Sequence, residues 1–210
     1  MTNKIISITG VSASGKSRLA QALLKLILRD LPHLSVDVLE EDSYYKDQKD
    51  IDFGQRLTTN YDHPDAIDHD LLLNHLKLLK SGIPVKAPTY DYHRHTRGDQ
   101  IQQIQPGNLL IMPGTMLRLQ NKFDLYFDYS IYIDCPLDTC LIRRIERDCA
   151  ERGRTAQFVK EQFQRDVIPM YYKYVKATRY HADLIVSGDA EVSAIADQVM
   201  KVLSSQQIVI

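Results

Sequence analysis

Residues 10 to 17 read Gly-Val-Ser-Ala-Ser-Gly-Lys-Ser, and this spacing of two glycines, a lysine and a hydroxyl suits the holding of a polyphosphate. In a loop of that pattern the backbone N–H groups of Gly10, Val11, Ser12, Ala13, Ser14 and Gly15 turn inward on the anion. Lys16 then reaches the outer phosphates, and the Ser17 hydroxyl offers an oxygen to magnesium. Glycine at 10 and 15 supplies close approach and backbone angles that a Cβ would obstruct. The predicted chemistry is use of a nucleoside triphosphate, and the motif is silent about what receives the phosphate.

Two further groups of residues bear on the acceptor. Asp42 follows a short apolar run, Val36 to Leu39, within the sequence Glu40-Glu41-Asp42-Ser43-Tyr44-Tyr45. A carboxylate at such a strand end faces the ligand crevice, where it can accept the proton of an attacking hydroxyl. Farther on, Arg143, Arg144, Arg147, Arg152 and Arg154 crowd into twelve positions around Gly153. Cations on a mobile helical segment can close over a transferred phosphoryl group and exclude water, so we read residues 143 to 165 as an arginine lid.

The elements that must position these residues follow from apolar spacing. Lys4 to Thr9 is a β-branched run stopped at Gly10, and Leu19, Leu23, Leu24 and Ile27 mark one face of a helix from Lys16 to Arg29. Strand, glycine loop and helix thus stand in the order that phosphate binding requires. Leu71, Leu72, His75, Leu76 and Leu79 mark another helix, closed by Gly82 and Pro84. Lys46 to Asp65 has no period and reads as a long loop over the site. Short apolar strands are expected at Val36 to Leu39, Leu109 to Met112, Ser130 to Asp134 and Ala182 to Val186, with a last helix from Glu191 to Leu203. Five strands alternating with helices predict an α/β fold with a parallel sheet. Residues 85 to 105, with Pro88 and close-set aromatics, read as a small β-hairpin that projects as a substrate arm.

Several separate segments resemble the uridine-cytidine kinase family in sequence and order. They are Asp-Ser-Tyr-Tyr-Lys at 42 to 46, Asn-Tyr-Asp-His-Pro-Asp-Ala at 60 to 66, Pro-Thr-Tyr-Asp-Tyr at 88 to 92 with His95 and Arg97, and Arg-Asp-Cys-Ala-Glu-Arg-Gly-Arg at 147 to 154. The resemblance runs from Ile5 to about Ile195 and implies a P-loop NTPase fold in one kinase domain spanning residues 1 to 210. It implies transfer of the γ-phosphate of ATP or GTP, with magnesium, to the 5′-hydroxyl of uridine or cytidine, and a homotetramer. By the same resemblance Asp42 is the general base, working with Lys16, and Ser17 and Asp42 serve the metal. Asp62 holds the ribose hydroxyls with Arg144 beside it, Tyr45 and Tyr61 contact the nucleoside, and Tyr90 and His95 read the pyrimidine edge. Arg154 and Gln162 match further substrate contacts, while Arg147 and Arg152 match lid cations around the phosphates. A neutral histidine can serve both uracil and cytosine, because either ring nitrogen can donate or accept. Tyr44, Tyr92 and His93 are read as core or surface, and so is His75.

One position departs from the resemblance. Where the family ends the strand at 109 to 112 with Glu-Gly, the carboxylate helping to hold magnesium, this chain has Pro113-Gly114. The readings that follow are an active nucleoside kinase, a nucleotide-binding protein with impaired transfer and a regulatory role, and a P-loop kinase for another small alcohol.

Composition narrows the partners. With 26 basic and 27 acidic residues in 210, no basic field exists of the kind that non-specific nucleic-acid binding needs. Cys135, Cys140 and Cys149 are odd in number and lack zinc spacing, which fits free thiols in a reducing compartment. No apolar run approaches the roughly 18 residues of a membrane span, and the first residues lead straight into a strand. The expected location is the cytoplasm.

Overall fold

The computed structural model describes residues 4–119 and 121–209. Strands β1 (Lys4–Thr9), β2 (Val36–Val38), β5 (Leu109–Pro113), β6 (Tyr129–Asp134) and β7 (Leu184–Ser187) form one parallel sheet in the order β2-β5-β1-β6-β7. Helices cover both faces: α1 (Lys16–Asp30), α3 (His69–Lys80), α5 (Leu137–Glu151) and α8 (Val192–Ser205), with short α4 (Asn121–Asp124) before β6. The sheet is the α/β arrangement that the alternation of strands and helices predicts.

Side-chain alternation sorts the core into two layers. Ile6, Ile8, Leu109, Ile111, Ile131 and Ile133 point to one face, against Leu19, Leu23 and Ile27 of α1 and Ile195, Val199 and Leu203 of α8. Ile5, Leu110 and Met112 point to the other, against Leu72, Leu76 and Leu79 of α3 and Phe123. Such a strand, buried on both faces, reads as an unbroken apolar run, which is why the central strands were visible without a polar alternation. Across the middle of the sheet, Ser7 donates to Ser130 Oγ at 3.0 Å, so the two buried hydroxyls satisfy each other.

Strands β3 (Val85–Asp91) and β4 (Thr96–Ile104) pair antiparallel in a separate hairpin, with a register shift between Pro88 and Tyr90. Val85, Ala87 and Ile104 root it in the α3 side of the core. At its tip Asp91 Oδ1 accepts the N–H groups of His93 and Arg94, which closes the turn. His95 leaves that turn at φ 52, a left-handed angle that a side-chain-bearing residue adopts only when its surroundings fix it.

The segment expected to be a long loop contains a short helix, α2 (Phe53–Thr58), and a 3-10 turn at Pro64–Ala66. Asp52 starts α2 by accepting from Gly54 N at 2.8 Å, and none of its residues is buried, so apolar periodicity carried no signal. Arg56 pins it instead, donating to the carbonyls of Lys49, Ile51 and Arg94. Loop and hairpin tip are therefore joined through one guanidinium. Beyond α5, α6 (Ala156–Gln162) passes into π-helical turns at Phe163–Val167 and Tyr171–Val175 around α7 (Ile168–Met170). Pro169 lies between the two turns, and its missing N–H breaks the regular ladder there.

Candidate active site

The loop from Gly10 to Gly15 joins β1 to α1 at the carboxyl edge of the sheet, with Gly10 at φ 142, Ala13 at φ 64 and Gly15 at φ 107. A Cβ at Gly10 would stand 2.7 Å from the Ile133 carbonyl, so only glycine fits between the loop and β6. Lys16 folds back over the loop and donates to the carbonyls of Gly10 and Val11 at 3.0 and 2.9 Å. Desolvation holds its pKa below the ordinary lysine value, against the opposing attraction of Asp42. Its ammonium is thereby parked at the mouth of the loop, beside the carboxylate the sequence paired it with.

Two adjoining cavities meet at that carboxylate. The larger, of about 540 Å³, runs along Ser12, Ala13, Gly15, Lys16 and Ser17 and is walled opposite by Glu40, Glu41 and Pro113. The smaller, of about 40 Å³, is enclosed by Tyr61, Tyr90, His95, Arg144, Arg154 and Gln162. Asp42, Tyr45, Asp62, Tyr92, Arg147 and Arg152 line both. Nearly all of the residues singled out from sequence thus border one continuous crevice. Gly10, Val11 and Ser14 stand behind it, the first two as carbonyl acceptors for Lys16 and Ser14 buried within the loop.

The smaller cavity is aromatic and tightly drawn together. Tyr45 and Tyr90 have ring centroids 4.8 Å apart, Tyr61 and His95 5.3 Å, and Tyr90 and Tyr92 5.2 Å. The Tyr90 hydroxyl is buried without a close hydrogen-bond partner in the chain, which marks it as a donor held for a polar guest. Burial, reinforced by the charges of Arg154, Arg152 and Arg56, pushes the His95 pKa down to about 4, so its ring is neutral at ordinary pH. A flat apolar slot edged by a phenol and a neutral imidazole suits a planar heterocycle with mixed donors and acceptors.

Between the cavities, Arg144 is 4% exposed and joins three parties. Its guanidinium donates to Ser12 Oγ at 2.9 Å, to Gln162 Oε1 at 3.0 Å, and to the two Asp62 oxygens at 3.4 and 3.3 Å. Asp62 is held by charge where the two cavities meet, a carboxylate of the kind that paired hydroxyls can donate to.

Three contributors escaped the sequence reading. Tyr92, read there as core or surface, donates to Asp42 Oδ2 at 2.8 Å and carries the Arg152 guanidinium 3.7 Å from its ring centroid. Its place two residues after Tyr90, in the turn just past β3, was the available signal. Asp148 has no exposed surface and gathers Arg147 at 2.8 Å, Arg154 at 2.9 Å and Arg152 at 3.3 Å, with Arg144 at 3.8 Å. Burial alone would raise its pKa, but Arg147, Arg152 and Arg144 together hold it below the usual carboxylate range. Its spacing of four from both Arg144 and Arg152 on a helix was the clue. Glu40 faces the larger cavity beside Ser17, which the acidic run around it concealed.

The sequence pattern of the Phosphoribulokinase / Uridine kinase family matches residues 5–193. The chain belongs to that family. It is 42% identical to a uridine kinase of Pasteurella multocida over 182 residues, covering 87% of this chain and 84% of that one. To a uridine kinase of Cronobacter sakazakii it is 41% identical over 202 residues, or 96% and 94% of the two chains. A solved D-glycerate 3-kinase from Cryptococcus neoformans shares the fold, with a TM-score of 0.66 at 17% identity over 90% of this chain and 88% of that one.

The family's use of magnesium can be weighed against the residues present. The larger cavity offers the Ser17 hydroxyl and the carboxylates of Glu40 and Asp42, all hard oxygen donors of the type magnesium prefers. No cluster of three His, Cys, Asp or Glu side chains able to hold a metal occurs among the described residues. The donor set therefore fits an ion that shares its shell among protein, phosphate oxygens and water. No helix among the described residues is long and apolar enough to cross a membrane.

Proposed function

We infer that this chain is a uridine kinase, moving the γ-phosphate of ATP to the 5′-hydroxyl of uridine, with cytidine as a second acceptor. One observation carries the reading: the phosphate-holding cavity and the aromatic acceptor cavity meet at Asp42, next to Lys16. A nucleoside laid in the acceptor cavity puts its base among Tyr61, Tyr90 and His95 and its ribose hydroxyls at Asp62. Its 5′-hydroxyl then replaces the Tyr92 phenol at Asp42 Oδ2, which takes the proton as the oxygen attacks. Lys16 leaves its loop carbonyls to neutralise charge on the outer phosphates, and Arg147 and Arg152 close from the lid, residues 143 to 165. Bound magnesium, held by Ser17 and Asp42, would neutralise phosphate charge and orient the oxygens.

The arm at 85 to 105 and the lid belong to one kinase domain in this reading. The acceptor cavity is too small for a nucleoside as it stands, so binding spreads the arm from the lid. The homotetramer rests on the resemblance and is tested by light scattering on the purified protein, while the cytoplasmic location rests on the free thiols and the sequence composition. A nucleotide-binding protein with impaired transfer is the second reading, favoured by the lack of a side-chain oxygen on Pro113. Purified protein with ATP, magnesium and either uridine or cytidine decides between them: formation of the nucleoside monophosphate is expected. Binding of both ligands without product would overturn the kinase reading, and consumption of a different alcohol alone would overturn the acceptor.

A further inference from the structure

Glu40 and Glu41 are consecutive acids just past β2, Glu40 in extended backbone and Glu41 opening a 3-10 turn at Glu41–Tyr44. Residues Val36, Asp37 and Val38 pair with Leu109, Leu110 and Ile111, and Leu39 N continues the ladder by donating to the Ile111 carbonyl at 3.0 Å. Two residues beyond Val38 and two beyond Ile111, Glu40 comes level with Pro113 on the neighbouring strand. Val38 and Ile111 both face α1, so alternation turns Glu40 and Pro113 to that same face, toward the first turn of α1. Ser17 lies in that turn, and its hydroxyl and the Glu40 carboxylate line the same cavity.

Glu41 is committed elsewhere. It is 1% exposed and its Oε2 accepts from Met116 N at 2.8 Å, which ties down the turn after β5. Gly114 leaves room for it, since a Cβ there would stand 2.6 Å from that same oxygen. Its other oxygen, Oε1, has no hydrogen-bond partner in the chain, and the residue borders the larger cavity. With Glu41 held by the turn after β5, Glu40 is the acid available to the larger cavity alongside Ser17. Pro113 contributes none of this, as it has neither a side-chain oxygen nor an N–H.

We propose that Glu40, from the adjacent strand, supplies the carboxylate that fixes the magnesium shell at Ser17, in place of any acid at position 113. The reach is one strand wide: the two positions stand on neighbouring strands at the same level, about 4.8 Å apart in the pairing direction. A glutamate on β2 therefore meets the same hydroxyl and cation waters from the side. This rests on the kinase reading only in taking a magnesium nucleotide as ligand, and it is tested by metal binding rather than by turnover.

The experiment measures Mn²⁺ affinity by electron paramagnetic resonance in the complex with a non-hydrolysable ATP analogue, together with affinity for that analogue in EDTA. Glu40→Gln is expected to weaken Mn²⁺ binding about ten- to a hundredfold while metal-free analogue binding stays within about threefold. Pro113→Glu placed on top of Glu40→Gln is expected to restore most of the Mn²⁺ affinity. Glu40→Asp, which keeps the charge but shortens the reach, should fall between parent and Glu40→Gln and serves if the latter does not fold. Unchanged Mn²⁺ affinity in Glu40→Gln or Glu40→Asp would overturn the proposal, as would equal losses with and without metal. A parent that makes no uridine monophosphate yet shows the Glu40 effect would sink the functional reading and leave this one standing.

Discussion

The Tyr92 phenol donates a 2.8 Å hydrogen bond to Asp42, fifty residues earlier in the chain, while the Arg152 guanidinium stands over the same ring. Arm, lid and candidate base therefore converge on one tyrosine. Tyr92→Phe keeps the ring beneath Arg152 and removes only a donor that the acceptor hydroxyl must displace. Its kcat/KM for uridine should stay within about fivefold of the parent, as expected for one net hydrogen bond. Tyr92→Ala also loses the cation-binding face and should fall by more than about tenfold. Steady-state kinetics on the pair checks the split, and equal losses would assign the whole effect to the hydroxyl.

Asp42→Asn preserves shape and removes the proposed proton acceptor. Turnover should fall by about a hundredfold or more, with uridine affinity, measured by calorimetry, within about tenfold of the parent. Parallel losses in both would make Asp42 a structural residue.

Asp148 is the shared counter-ion of a ring of arginines, so Asp148→Asn leaves several buried guanidinium groups facing one another. A loss of about 3 to 5 kcal/mol in unfolding free energy is expected from urea titration. An unchanged midpoint would mean that the arginines are adequately solvated without it.

His95 gives the pH dependence a definite sign. Its folded pKa, about 4, lies below the ordinary histidine value, so between about pH 6.5 and 4 the unfolded chain takes up a proton that the folded chain refuses. Its contribution to stability is thus complete above that window and is lost as the pH falls through it. Urea midpoints for the parent should drop more steeply than for His95→Gln across these values. The same neutrality predicts that replacing His95 leaves the pH dependence of uridine affinity unaltered from about pH 5.5 to 8, by calorimetry.

Much of the frame was legible because it is local. The glycine loop, the apolar runs of β1, β5 and β6 and the leucine faces of α1 and α3 each announce themselves within a dozen residues. Local pattern also drew the hairpin, since Pro88 and the aromatics around it share a few positions. What escaped depended on partners far away in sequence. Nothing near Tyr92 indicates that the sheet will deliver Asp42 to its hydroxyl. Glu40 and Glu41 look alike as letters, and only the folded chain turns one to the cavity that Ser17 lines and the other to Met116 N. Helix α2 was missed for a different reason: its stability comes from a cap and from Arg56, neither of which produces an apolar period.

Arg144 spans from the Ser12 hydroxyl in the glycine loop to the Asp62 carboxylate on the acceptor side. A single rigid fork thus belongs to both halves of the crevice, and any displacement imposed by one ligand is met by the other. Any coupling passed through it is reciprocal: whatever factor ATP imposes on uridine affinity, uridine imposes on ATP affinity. Saturation by either partner then sets the apparent affinity for its companion.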